Sequence, residues 1–161
     1  NDLTTRSVQI AGEGSARKLD FWSAAKSFAD FLPVGATMWC AATPPLDRLP
    51  LLTLETRVNG TVRQSASTHN LLYTPRQLLQ HAARHAPDGR LRRHDLILTG
   101  TPAGVALQVP AWKRRLAALL PRRQRIRAAI QSNLHNDRFL RPGDVLSFSA
   151  GWLGSRTLTI H

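Results

Sequence analysis

The chain has 161 residues, of which 42% are hydrophobic, so it is long enough for one domain with its own apolar core. No apolar run approaches the roughly 20 residues that a membrane span needs, and we expect no membrane partner. Its one cysteine, Cys40, excludes an internal disulfide and favours a reducing compartment, for which we expect the cytoplasm.

The N-terminal stretch Asn1–Gln9, NDLTTRSVQ, carries a carboxylate, a guanidinium and an amide on Asp2, Arg6 and Gln9. A tight local structure would aim the three groups at one point. Such a set suits a metal ion beside a ligand that bears a carboxylate. Residues of these types near a terminus are more commonly just solvated, and the stretch alone leaves both interpretations open.

The pattern that follows predicts a β-hairpin. Apolar and β-branched residues alternate over 51–58, and a second strand is expected over 61–67. Between them, Asn59-Gly60 is typical of a two-residue hairpin turn.

A helix is predicted near residues 75–86, because Thr74 is a good N-cap and Pro75 suits the first helical position. The apolar run over 95–99 predicts a buried strand. The turn Leu98–Ala106, LTGTPAGVA, then offers threonine hydroxyls and glycine amides. This composition suits a cradle for an anion, and it also suits a plain Gly/Pro turn with a threonine cap.

The net charge of +12 would suit an acidic partner such as nucleic acid, but more than half of it lies in residues 111–134. Two helices are predicted near 112–134, with Pro121 in the first turn of the second. We expect an amphipathic insert over about 108–138 that covers a sheet edge or the mouth of a site. An acidic partner is the alternative, although the basic residues lack the interleaved aromatics that stack on bases, so nucleic acid is not expected. The apolar positions at helical spacing are Trp112, Leu116, Leu119, Leu120, Ile126, Ile130 and Leu134.

The last part of the chain predicts two strands, near residues 144–150 and 155–160, with a glycine-containing turn between them. Strands and helices do not alternate as they do in βαβ proteins. The sequence therefore predicts a β-rich α+β fold in one domain over residues 1–161.

Five motifs in order make the chain resemble the C-terminal catalytic portion of the fumarylacetoacetate hydrolase family. The chain departs from the family pattern in three motifs: Ala-Arg-Asp is Thr5-Arg6-Ser7, the acid Asp30 stands one place late, and Ala106 replaces a glycine. The resemblance spans nearly the whole chain outside the insert, and it implies a mixed β-roll with a basic helical insert. The family motifs N-D-x-[ST]-A-R-D-x-Q, K-S-F-D, V-N-G-x-x-R-Q, L-T-G-T-P-x-G-V and G-D-V correspond to Asn1–Gln9, Lys26–Asp30, Val58–Gln64, Leu98–Val105 and Gly143–Val145.

The resemblance implies a metal-dependent hydrolase that cleaves a C–C bond in a 2-oxo acid or β-diketone, as in the catabolism of aromatic compounds. Its cofactor would be a divalent cation, with Mg²⁺ expected first and Mn²⁺ or Ca²⁺ as alternatives, and Asp2 would be a metal ligand. Lys26 would be the catalytic residue that donates to the enolate oxygen. The substrate-binding residues would be Arg6, Gln9, Lys26, Gly100 and Thr101.

The family's remaining metal ligands, a Glu-x-Glu pair, are not in this chain, whose two glutamates Glu13 and Glu55 are far apart. The family's His/Glu general-base pair also lies upstream. We therefore expect an upstream N-terminal part of the same protein as a partner. The resemblance also implies a second copy of the chain, in a homodimer. Decarboxylases, hydratases and isomerases of 2-oxo acids use the same motifs, and a non-catalytic basic binding module is the alternative of a different class.

Overall fold

The computed structural model describes residues 2–107 and 109–161, without the side chains of Lys113 and Arg114. Asn1, which opens the N-terminal motif, and Gln108, which opens the expected insert, lie outside the described residues. The fold mixes helices and strands. In chain order the elements are α1 (Arg6–Ala11), α2 (Lys18–Ala24), β1 (Thr53–Val58), β2 (Thr61–Ser67), α3 (Pro75–His85), α4 (Ala111–Ala118), α5 (Arg122–Leu134), β3 (Val145–Ala150) and β4 (Ser155–Thr159).

The chain divides into two compact units. The first contains Asn1–Val34, Val105–Asp144 and Thr159–His161, and the second contains Gly35–Gly104 and Val145–Leu158. The assignment of residues 1–161 to one domain stays a prediction. Among the helices of the described residues, none is long and apolar enough to cross a bilayer.

The four strands form one sheet in the order β2-β1-β3-β4, and β1 pairs antiparallel with both β2 and β3. All four lie within two residues of their predicted bounds. Val58 of β1 stands opposite Leu146 of β3, and both are buried together with Leu52. β1 and β3 are far apart in the chain. Burial of these apolar side chains away from water stabilises their pairing.

Asn59 turns the hairpin and also fixes the start of β3. Asn59 and Gly60 have φ values of 50° and 78°, as a two-residue hairpin turn requires. The backbone N–H of Asn59 donates to the Val145 carbonyl at 2.9 Å, and the Val145 N–H donates to Asn59 Oδ1 at 2.8 Å. The Val-Asn-Gly motif therefore fastens a third strand to the hairpin.

The predicted start of α3 is confirmed. Thr74 Oγ1 accepts from the Gln77 N–H at 3.2 Å, and Gln77 Oε1 accepts from the Thr74 N–H at 2.9 Å. These two bonds form a capping box, with Pro75 at the first helical position.

The strand predicted over residues 95–99 is wrong. The segment is not a strand, and Leu96, Ile97 and Leu98 are 65%, 37% and 54% exposed. An apolar run becomes a strand only where a neighbouring strand supplies its hydrogen bonds. None of the four described strands pairs with this segment, although β2 and β4 are the edge strands of the sheet.

The two helices predicted near 112–134 are present, with Pro121 at the N-cap of α5 and not inside its first turn. Their apolar positions behave differently. In α4, Leu116 is 58% exposed, whereas Ile126 and Ile130 of α5 are partly buried. Helix α5 packs against α1, and this contact gives the apolar side chains of α5 a surface to cover.

The turn over residues 98–106 is held against β2. Gln64 Nε2 donates to the Pro102 carbonyl at 3.1 Å. Gly104 has a φ of 97°, and a Cβ added there would lie 2.1 Å from the Arg63 carbonyl oxygen. Glycine is required here because two backbones approach each other more closely than any side chain permits.

We expect Gly104→Ala to lower the free energy of unfolding by at least about 2 kcal/mol more than Gly89→Ala, since overpacking adds to backbone strain. Gly89 also has a positive φ, 65°, but the space around it is open, so it is the matched control for strain alone. Chemical denaturation of the two variants measures the difference. Equal losses would show that the approach of Gly104 to Arg63 does not constrain the turn.

Candidate functional site

A polar cluster in the first unit is centred on Lys26. Its ammonium contacts Asp2 Oδ2 and donates to Thr4 Oγ1 at 3.0 Å. The Asp2 and Lys26 side chains are each 27% exposed, so the pair is largely shielded from water. The cluster therefore joins a carboxylate, a hydroxyl and an ammonium group that are partly buried.

Backbone bonds explain how residues 24 positions apart come together. The Thr5 N–H donates to the Ala25 carbonyl at 2.9 Å, and the Leu3 N–H donates to the Phe31 carbonyl at 3.0 Å. Ala25, at the end of α2, is fully buried. The segment before α1 therefore lies directly against the end of α2, and Lys26 follows that end in the chain.

Arg6 and Gln9 form a second polar group on α1. They stand three residues apart on the helix, which places their side chains on the same face. Arg6 Nη1 contacts Gln9 Oε1, and this contact leaves the amide nitrogen of Gln9 as a donor.

The Gln9 amide nitrogen has no hydrogen-bond partner among the described residues, although Gln9 is only 6% exposed. A buried donor without an acceptor costs about 1–3 kcal/mol. A ligand oxygen at this position would remove that cost. Gln9 is therefore suited to donate to an anionic ligand beside the Arg6 guanidinium.

Gly100 and Thr101 belong to the second unit. Thr101 is exposed, and beyond Gly100 and its two chain neighbours no described atom lies within 4 Å of where a Cβ on Gly100 would stand. Because Gln64 and Gly104 hold the rest of the turn, its backbone amides and hydroxyls are presented from a fixed support. The turn has room for a ligand to approach its backbone.

The described residues do not by themselves fit a divalent cation. They contain no group of three or more His, Cys, Asp or Glu side chains that could hold a metal ion. Asp2 is the carboxylate of the cluster, and it contacts an ammonium. Hard cations such as Mg²⁺ need several oxygen ligands.

The sequence reasoning singled out neither Thr4 nor Gln64 as a functional residue. Thr4 accepts a hydrogen bond from Lys26, and Gln64 anchors the turn. Both occupy defined positions of the motifs, the [ST] of the first and the final Gln of the third. The motifs therefore already marked both positions. The roles assigned to Asp2, Arg6, Gln9, Lys26, Gly100 and Thr101 stay predictions.

Similar proteins were found among characterised and uncharacterised chains. An uncharacterized protein of Archaeoglobus fulgidus is 36% identical over 107 residues, which are 66% of this chain and 37% of that protein. The mitochondrial oxaloacetate tautomerase FAHD1 of Mus musculus is 34% identical over 107 residues, 65% of this chain and 43% of the relative. The mitochondrial oxaloacetate tautomerase FMP41 of Saccharomyces cerevisiae is 33% identical over 106 residues, 65% and 39% respectively.

The matched parts amount to about two-fifths of the length of these relatives. The family described as fumarylacetoacetate (FAA) hydrolase, C-terminal, matches residues 1–161, the full extent of the sequence. The motifs that suggested the resemblance are those that form the polar cluster, the hairpin and the turn. This chain belongs to the fumarylacetoacetate hydrolase family.

Proposed function

We propose that this chain is part of the catalytic domain of an enzyme that acts on a 2-oxo acid through an enolate. The observation that supports this most strongly is the buried Gln9 amide, whose nitrogen has no partner among the described residues and which contacts the Arg6 guanidinium. An amide donor and a guanidinium together match the two oxygens of a carboxylate.

Lys26 would stabilise the negative charge that develops on the substrate carbonyl oxygen. An ammonium has three N–H donors, and Asp2 and Thr4 account for two of them. The remaining N–H can donate to the ligand. Donors held in place before the reaction stabilise a developing oxyanion without having to reorganise, which is commonly the largest catalytic contribution.

Gly100 and Thr101 would bind a substrate oxygen through a backbone N–H and a hydroxyl. The open space around Gly100 and the anchoring of the turn by Gln64 support this role.

Among reactions of 2-oxo acids, we favour the interconversion of keto and enol forms. Two of the relatives described above are named as oxaloacetate tautomerases. Metal-dependent hydrolysis of a C–C bond is the second candidate. In hydrolysis and in decarboxylation the electron pair of the broken C–C bond would form the enolate, and hydration of a 2-oxo acid is a further alternative. The donors of this chain serve all of these reactions, and the placement of a base and a water decides among them.

Several features of the whole protein belong to the same proposal. Asp2 would be one ligand of a divalent cation, Mg²⁺ first with Mn²⁺ or Ca²⁺ as alternatives, whose other carboxylate ligands lie outside this chain. The sheet would be part of a family-type β-roll in one domain over residues 1–161, with the helical insert at about 108–138. We propose a cytoplasmic homodimer that acts on a small molecule.

Lys26→Ala in the full-length protein should lower kcat by roughly 100-fold with a smaller change in KM, because its bond to the oxyanion strengthens in the transition state. Lys18→Ala is the control, since Lys18 lies in the same unit and forms an exposed ion pair with Glu13. Turnover is followed by the absorbance of the enol form of oxaloacetate. A variant with unchanged kcat would remove Lys26 from the mechanism.

Asp2→Ala in the full-length protein should abolish the binding of Mg²⁺ and Mn²⁺ and with it the activity, with little effect on thermal unfolding. Asp20→Ala removes an exposed carboxylate of the same unit, paired with Arg17, and should bind the metals like the wild type. The 161-residue chain alone should bind them only weakly, since Asp2 offers one of the several oxygens needed. Isothermal titration calorimetry measures all four proteins. Wild-type metal affinity in Asp2→Ala would contradict the assignment.

A further inference from the structure

We propose that Arg122, the first residue of α5, is a positioning residue for the site: it holds the C-terminal end of α1 and thereby orients Arg6 and Gln9 toward an anionic ligand. This inference rests on the proposed function. It concerns a residue outside the five motifs, in the basic segment whose role the sequence left open.

The contacts of Arg122 reach across more than a hundred residues of sequence. Its Nε donates to the Glu13 carbonyl at 2.8 Å, and its Nη2 donates to the Ala11 carbonyl at 3.1 Å. Ala11 is the last residue of α1, and the final carbonyls of a helix lack partners within the helix. A cation at this end also meets the negative end of the helix dipole. Arg122 therefore caps α1 from another element of the same unit.

The position of Arg122 at the start of its own helix does not favour a positively charged side chain. The first turn of a helix favours acidic residues, because the helix dipole is positive there. In α5 the first turn contains no acidic residue, and its first two residues are Arg122 and Arg123. The favourable electrostatic partner of Arg122 is the end of α1.

The loop after α1 is shaped to receive this side chain. Gly14 has a φ of 68°, and a Cβ added there would lie 3.6 Å from Arg122 Nε and 3.9 Å from Arg125 Nη2. The loop therefore passes directly against two arginine side chains of α5. Glycine at this position permits the turn in the backbone.

α1 needs such support because it is short. It has six residues, and its N-cap Thr5 makes no side-chain capping bond. Helices of this length are marginal in water unless tertiary contacts stabilise them. Arg6 and Gln9 both lie on α1, so fraying of its last turn would move the buried Gln9 amide out of position.

The test compares three variants of the full-length protein: Arg122→Ala, Arg122→Lys and Arg127→Ala. The control Arg127 is exposed on the same helix, so its replacement removes the same charge. Oxalate is the probe, as a small dicarboxylate that does not react. Its dissociation constant in the presence of Mg²⁺ is measured by calorimetry, and hydrogen exchange is measured at the α1 amides.

Arg122→Ala should bind oxalate roughly tenfold more weakly and raise KM for a 2-oxo acid, because small misplacements of binding groups have large effects. Arg122→Lys should recover part of this loss through one hydrogen bond, and Arg127→Ala should bind like the wild type. Exchange at α1 should accelerate only in the Arg122 variants. A thermal unfolding transition shared by all variants would show that the fold is intact.

Three results would overturn the proposal. The first is wild-type oxalate affinity in Arg122→Ala. The second is an equal loss of oxalate affinity in Arg127→Ala, which would show that net charge alone matters. The third is unchanged hydrogen exchange at the α1 amides in the Arg122 variants. A wild-type protein that neither binds oxalate nor turns over 2-oxo acids would instead refute the proposed function. In that case, exchange at α1 would still report whether Arg122 holds the helix.

Discussion

The contact between the Lys26 ammonium and the Asp2 carboxylate is the interaction on which the candidate site depends. Both side chains are largely shielded from water, and the attraction between the two charges offsets part of the cost of that shielding. The contact also requires that the segment before α1 lie against the end of α2, as the bonds from Thr5 to Ala25 and from Leu3 to Phe31 provide. The contact and these backbone bonds together hold the N-terminal motif against the residues that follow α2.

The same unit shows how contacts with neighbouring elements stabilise a short helix, α1. α1 packs against α2 and α5, and its end is capped by Arg122. Part of the high positive charge of residues 111–134 thus has a structural partner in backbone carbonyls. The charge that first suggested an acidic partner includes at least one arginine that stabilises the protein itself.

In the second unit, hydrogen bonds and a close backbone approach hold distant segments together. In its sheet, Asn59 turns the hairpin and also forms hydrogen bonds with the start of β3. Its turn over 98–106 contacts β2 through the Gln64 hydrogen bond and the close approach of Gly104 to Arg63. These contacts fix the backbone of the turn at Pro102 and Gly104.

Local signals in the sequence by themselves determined the hairpin, the capped start of α3, the two helices around Pro121 and the motifs that contain the site residues. These features depend on dihedral preferences and hydrogen bonds within a few residues, which is why the pattern alone predicts them. The tertiary structure decided the rest. In the tertiary structure the apolar run over 95–99 pairs with none of the described strands. Leu116 is exposed whereas Ile126 is partly buried, and α1 packs against α2 and α5. The tertiary structure also joined Arg122 to Ala11. Pairing and burial depend on which distant surfaces meet, and that information is not contained in any short stretch of the chain.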